Sequence, residues 1–278
     1  MFRTNQTKGT FLFFKFITYG SLDVVISVFA NLSFFSLYTQ TPLRVSLLLL
    51  YLISVWALYL LDHLWDAKKE KDILSPRSVF FLEHQIKFQW MISFFFLCSS
   101  GLVFFWEWKF LVANQIFLFS FGMTLVLVVT RFSPLPKEIW VSLFYTWGIL
   151  LPFPTWFGSF EICLVFFLHV FANVLYTYNL DREIDLRQNT FVFSRFLTHT
   201  PMLSAIRILL GIGSFLVLFL NKSESHPLVF QFGIGLSYLW LLLTTFLKGK
   251  VTTLKSLAEL SYLPMFLPQI IFFFSGLR

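Results

Sequence analysis

Apolar residues run almost unbroken near positions 11–38, 43–62, 86–106, 108–130, 138–158, 159–180, 202–221, 227–247 and 257–277, with short polar stretches between them. Each run reaches the length, about 20 residues, at which a helix crosses the hydrocarbon layer of a bilayer. The pattern predicts an all-α integral membrane fold of about nine transmembrane helices. The first run is too long for the apolar part of a signal peptide, no small-residue cleavage site follows it, and similar runs recur to the C-terminus, so it reads as the first span. No heptad repeat, Gly/Ser linker or soluble appendage stands out. Residues 1–278 are therefore expected to form a single transmembrane domain with its helices around a central cavity.

Composition agrees with the pattern: 57% of the 278 residues are hydrophobic and only 13% are charged, against roughly 25% charged in soluble domains. An ordinary water-soluble globule is excluded. The net charge of +7 would point to nucleic acid in a soluble protein, but here the position of the charges matters more than their sum. Most of the 21 Lys and Arg residues fall at the N-terminus or in the loops after helices two, four, six and eight, against Arg44, Lys109, Lys222 and Arg278 on the other side. The positive-inside rule then places the N-terminus in the cytoplasm and the C-terminus outside. A multi-pass protein follows, in the plasma (inner) membrane if the source is bacterial, with membrane lipids as neighbours and no nucleic acid as partner. The loops around Trp106 to Trp108 and Phe157 to Phe160 are very short, whereas those after helices two and six are long, so function is expected on the cytoplasmic face.

The residues foreign to a bland membrane protein lie in those two long loops. Helix two ends Asp62-His63-Leu64-Trp65-Asp66-Ala67-Lys68-Lys69-Glu70, so Asp62, Asp66 and Glu70 recur every four residues on one helical face. Helix six ends Asp181-Arg182-Glu183-Ile184-Asp185, a second carboxylate pair at the same spacing. Like charges stacked this way repel unless protons or cations neutralise them. Magnesium takes oxygen ligands, usually one or two carboxylates plus phosphate oxygens and water. Two such clusters can hold two ions around one diphosphate; the bland alternative is that they decorate solvated helix ends. Their four-helix offset also suggests a duplicated four-helix unit with a ninth helix added.

A diphosphate needs donors as well as metal. The loop Thr130-Arg131-Phe132-Ser133-Pro134-Leu135-Pro136-Lys137 supplies Arg131 and Lys137, whose other reading is topological charge. Arg182 either binds phosphate or pairs with Asp185 or Glu183. Helix one carries Gly20, Asp23, Ser27 and Asn31 at three- and four-residue steps, a polar stripe on an apolar helix. It serves either as helix–helix glue, with Asp23 held by Lys15, or as a lining of the cavity. His63 and His169 have no partner at ligand spacing and read as structural, and Cys98 and Cys163 as packing residues.

These patches resemble the UbiA-type intramembrane aromatic prenyltransferases, a nine-helix family with Asn-x-x-x-Asp-x-x-x-Asp after helix two, Asp-x-x-x-Asp after helix six and a basic Lys-Arg-Tyr-Thr-x-Leu-Pro loop after helix four. Asp62, Asp66 and Glu70 match the first motif, Asp181 and Asp185 the second, and Arg131 to Pro136 the loop. Asp62 stands in place of the family's Asn, Glu70 of its third Asp, Thr130 of its loop Lys, and Asn189 of a Gly common after the second motif. The resemblance implies magnesium-dependent transfer of a prenyl group from a prenyl diphosphate to an aromatic or other lipophilic acceptor. Asp62, Asp66, Glu70, Asp181 and Asp185 would hold the metal, with the four aspartates catalytic. Arg131, Lys137 and Arg182 would hold the diphosphate, and Asp23, Ser27 and Asn31 the acceptor's polar head. Two other classes stay open: a secondary transporter with intramembrane carboxylates, and a CDP-alcohol phosphatidyltransferase, whose Asp-Gly start and Ala-Arg are missing near Asp62 and Asp181.

Overall fold

A computed structural model describes residues 19–69, 75–130, 132–153, 160–187, 191–220 and 227–275. Its elements are α1 (Leu22–Tyr38), α2 (Val45–Lys69), α3 (Pro76–Glu83), α4 (Gln85–Leu102), a π turn (Val103–Glu107), α5 (Trp108–Ala113) and α6 (Gln115–Val129). There follow α7 (Lys137–Leu150), α8 (Phe160–Leu180), α9 (Arg182–Arg187), a 3₁₀ turn (Phe193–Arg195), α10 (His199–Val217), α11 (Pro227–Thr244), α12 (Val251–Glu259), a 3₁₀ segment (Leu260–Phe266) and α13 (Leu267–Ser275). No strand occurs among the described residues. Five helical stretches are long and apolar enough to cross a membrane: Val45–Lys69, Gln85–Ala113, Phe160–Leu180, His199–Val217 and Val251–Ser275. The architecture is that of an all-α membrane protein. By its packing the chain divides into two compact units, residues 1–29 with 44–110 and residues 30–43 with 111–278.

In the first unit α2 packs on α3 and α4. Its buried residues Leu50, Ala57, Leu60, Leu64 and Ala67 recur at helical spacing, and Leu60, Leu64 and Ala67 join Phe80, Phe81, Phe88 and Ile92 in one cluster. This seam carries α2 to Lys69, seven residues past the end of the apolar run at Asp62, as the helical spacing of Asp62 and Asp66 predicts. The long loop after it contains a helix of its own: α3 starts at Pro76, whose fixed φ suits a first helical position, and the Ser78 amide donates to the Ser75 hydroxyl at 3.1 Å.

The expected hairpin at Trp106–Trp108 is absent, because the helix runs on from Gln85 to Ala113. Ser54 donates to Ser99 at 3.0 Å, so Ser99 faces α2. Glu107 lies eight residues further on, which in a uniform α-helix turns it about 80° away from that face. The π turn adds a residue to the coil and brings Glu107 back. There, fully buried, it accepts from Arg44 at 2.6 Å and from Ser46 at 2.5 Å.

The second unit is built around α8. Eleven of its residues are buried, among them Ile162, Phe166, Val170, Asn173 and Tyr176, as befits a helix with neighbours on several sides. It packs against α7, α10 and α12. Between lipid-embedded helices close contact rather than hydrophobicity drives association, so small residues mark the tight places. Gly213 of α10 is one: a Cβ there would overlap the ring of Tyr238, whose hydroxyl donates to the Val165 carbonyl at 2.5 Å. His169 is fully buried, its Nε2 3.2 Å from the Ser237 carbonyl and its ring between those of Tyr238 and Tyr262. The last span starts at Val251 rather than near 257 and passes through the 3₁₀ segment at Pro264.

Candidate functional site

Asp62 and Asp66 lie two residues out of phase with the buried Leu60 and Leu64, which turns them away from the core of the first unit; Asp62 is exposed and Asp66 half-buried. The i,i+4 spacing therefore produces two carboxylates one turn apart on one face at the polar end of an apolar helix. Glu70 lies outside the described residues. Among the described residues no group of three or more His, Cys, Asp or Glu side chains is placed to hold a metal. The donor chemistry of the Asp62–Asp66 face still fits magnesium, a hard cation that needs few protein oxygens when phosphate and water complete its shell.

The second cluster differs from the expected continuous helical pair. The helix stops at Leu180, Asp181 occupies a turn, and α9 restarts at Arg182. The Asp181 carboxylate forms an ion pair with Lys255 of α12. Among the described side chains Arg182 pairs with no carboxylate, and its Nη1 donates to the Leu197 carbonyl. The backbone of Asp185 belongs to α9; its side chain is outside the described residues, as is Arg131.

Lys137 does converge on this end of α8. Its ammonium lies 5.5 Å from the centre of the Tyr178 ring, one turn before Asp181. Two bonds to the stretch after α9 set its position: the Lys137 amide donates to the Phe191 carbonyl at 2.9 Å, and the Phe193 amide donates to the fully buried Glu138 carboxylate at 2.8 Å. Between Tyr178 and Asp181 sits Asn179, 2% exposed, with neither end of its amide hydrogen-bonded. One end of α8 thus gathers two ammonium groups, a carboxylate and a buried amide with free bonding capacity. Cations are favoured at a helix C-terminus, where carbonyls point outward. Such a place can bind an anion that takes charge from Lys137 and Lys255.

The polar stripe of α1 is only partly a stripe. Gly20 lies in a turn, Ser21 has φ 56°, and the helix begins at Leu22. Asp23 therefore sits in the first helical turn and accepts from the Val24 amide at 3.0 Å. Ser27 donates to the Asp23 carbonyl at 2.9 Å, within its own helix. Gly20 accepts from Trp56 of α2 at 2.7 Å, and Asn31 donates to the Tyr145 hydroxyl at 2.9 Å, with its own Oδ1 buried and unbonded. Lys15 is outside the described residues. His63, one residue from Asp62, lies 2.8 Å from the Ser21 hydroxyl through Nε2.

Sequence reasoning missed Lys255, Tyr178 and Glu138. Lys255 counts in the sequence only as positive-inside charge; its one local signal is that it is the sole cation on α12. No family model, curated protein or solved structure matches this chain.

Proposed function

We propose that the protein is a magnesium-dependent intramembrane prenyltransferase of the UbiA type, with nine spans and a cytoplasmic N-terminus, acting on a prenyl diphosphate and a lipophilic acceptor. The observation that carries the reading is the gathering of Lys137, Lys255, Asn179 and Asp181 at the end of α8, beside apolar spans. Lys137 and Lys255 offer point charges to phosphate oxygens and the Asn179 amide offers a neutral donor. Tyr178 holds the Lys137 ammonium through its ring face. Lys255 neutralises Asp181 and is released toward the diphosphate as that charge arrives. Asp62 and Asp66 are assigned to magnesium, and Glu70, Asp181 and Asp185 keep their assignment as further metal ligands. Magnesium supplies charge neutralisation that makes diphosphate a better leaving group. Arg182 fixes the chain after α9 through one Nη1 bond to Leu197 and keeps its assignment to the diphosphate through its remaining N–H groups. Asn31, with Tyr145 aligned by its amide, is assigned to the polar head of the acceptor, and Asp23 and Ser27 support the helix that presents it.

The test is incubation of the purified protein with labelled prenyl diphosphates, magnesium and a lipid extract, followed by identification of the labelled product. Prenylated lipid and free diphosphate are expected, both lost in Asp66→Asn and in Asp181→Asn. Turnover in both variants equal to wild type would overturn the assignment. A second reading, secondary transport, draws on the 3₁₀ interruption of the last span at Pro264, with Ser261 and Gln269 buried and unbonded nearby. Broken helices of this kind line transport sites. Substrate flux without diphosphate release would favour it.

A further inference from the structure

The second unit carries a groove of about 580 Å³ along α11 and the last span, lined by Leu239, Trp240, Leu243, Leu247, Leu257 and Leu263 among others. That is the size of a site for a small ligand, roughly 300–1,000 Å³. Its chemistry excludes a polar one. The only polar side chains in the lining are Trp240, whose Nε1 donates to the Leu257 carbonyl at 2.9 Å, and Thr244, whose hydroxyl donates to the Trp240 carbonyl at 2.8 Å. Neither has a donor left. Leu239, Leu243 and Leu247 are each about half exposed on the outer side of an apolar helix. The groove is also separate from the end of α8: Lys255 turns to Asp181, while Leu257, two residues on and so about 200° round α12, lines the groove.

The chain just past Leu247 is basic. Lys248 and Lys250 are exposed on either side of Gly249, and no Asp or Glu occurs from Pro227 to Ala258. The turn before them is held rigidly: Arg207 donates through Nε to the Thr245 hydroxyl at 3.1 Å and through Nη2 to the Thr245 carbonyl at 2.8 Å, with its guanidinium 3.9 Å from the Phe246 ring centre. An apolar groove followed by two exposed cations matches an amphiphile with a hydrocarbon tail and an anionic head. We propose that this groove holds one acyl chain of an anionic phospholipid, with Lys248 and Lys250 on its headgroup.

The experiment is lipid binding to the purified full chain in detergent, read by native mass spectrometry, with dioleoyl phosphatidylglycerol and dioleoyl phosphatidylcholine as probes. A juxtamembrane lysine's attraction to anionic lipid amounts to roughly a fivefold preference, so the pair gives on the order of thirtyfold for phosphatidylglycerol. Lys248→Ala/Lys250→Ala should abolish the preference, Leu243→Trp should weaken both lipids, and glycerol 1-phosphate should not compete. Equal binding of the two lipids by wild type, an unchanged preference in the double variant, or competition by glycerol 1-phosphate would each overturn the proposal. A second measurement does not depend on Leu243→Trp folding. Quenching by bromine-labelled phosphatidylglycerol should fall in Trp240→Phe relative to wild type, and equal quenching would remove the chain from the groove.

Discussion

Replacing Lys255 with Met leaves the Asp181 carboxylate without its partner ammonium, and the cost follows from where the pair lies. The two side chains are 19% and 23% exposed, between a surface pair, worth about 0.2–1 kcal/mol, and a fully buried one, whose breakage costs about 3–5 kcal/mol. About 1–3 kcal/mol of destabilisation is expected for Lys255→Met and, by the same reasoning, somewhat less for Asp181→Asn, which leaves an ammonium on a longer and more adaptable stem. Combining the two removes both charges, so the double variant should be more stable than the sum of the single losses implies. The assay is a double-mutant cycle of equilibrium unfolding in mixed micelles, with labelled-substrate turnover measured on the same four proteins. Stability should recover in the double variant while turnover does not, since the proposed reaction needs both groups. A coupling energy below about 0.5 kcal/mol, the level at which independent sites add, would refute the pairing. Recovery of turnover along with stability would reduce the pair to a structural strut.

Gly213→Ala should destabilise the protein by about 1–3 kcal/mol, the usual cost of overpacking, because the added methyl meets Tyr238; a thermal scan in detergent at or above the wild-type midpoint would contradict that. Arg131→Lys should weaken prenyl diphosphate binding more than Lys137→Arg, since a planar fork bridges two phosphate oxygens and an ammonium does not; titration of both variants with the same diphosphate decides it. Glu83, exposed at the end of α3, should after substitution by Cys react with an impermeant thiol reagent only once the cytoplasmic side is opened. Labelling in intact cells would invert the topology.

Where apolar runs alone define an element, the sequence is a good guide: 159–180 becomes Phe160–Leu180 and 227–247 becomes Pro227–Thr244. It misleads where a partner far along the chain decides. The apolar run stops at Asp62, and α2 continues to Lys69 because Leu64 and Ala67 still find Phe80, Phe81 and Phe88. Glu107 reads as a loop residue and is a buried acceptor, because Arg44 and Ser46 lie more than sixty residues away in sequence. The site shows the same division. The i,i+4 face of Asp62 and Asp66 is local and legible. The partner of Asp181 is 74 residues distant, and no local pattern ties that lysine, among the chain's many, to this carboxylate.

The π turn before Glu107 makes the length of that helix a functional quantity. Deleting any one residue from Val103 to Trp106 would restore a smooth α-helix, which by backbone hydrogen bonding alone is the better structure. It would leave Glu107 seven residues past Ser99, within about 20° of that face and still between Arg44 and Ser46, whereas an α-helix of unchanged length would turn it about 80° away. The π turn is thus one surplus residue: Phe104, Phe105 and Trp106 are all exposed, and one of them can be lost without moving Glu107, while any further gain or loss between Ser99 and Glu107 turns the carboxylate about 100°.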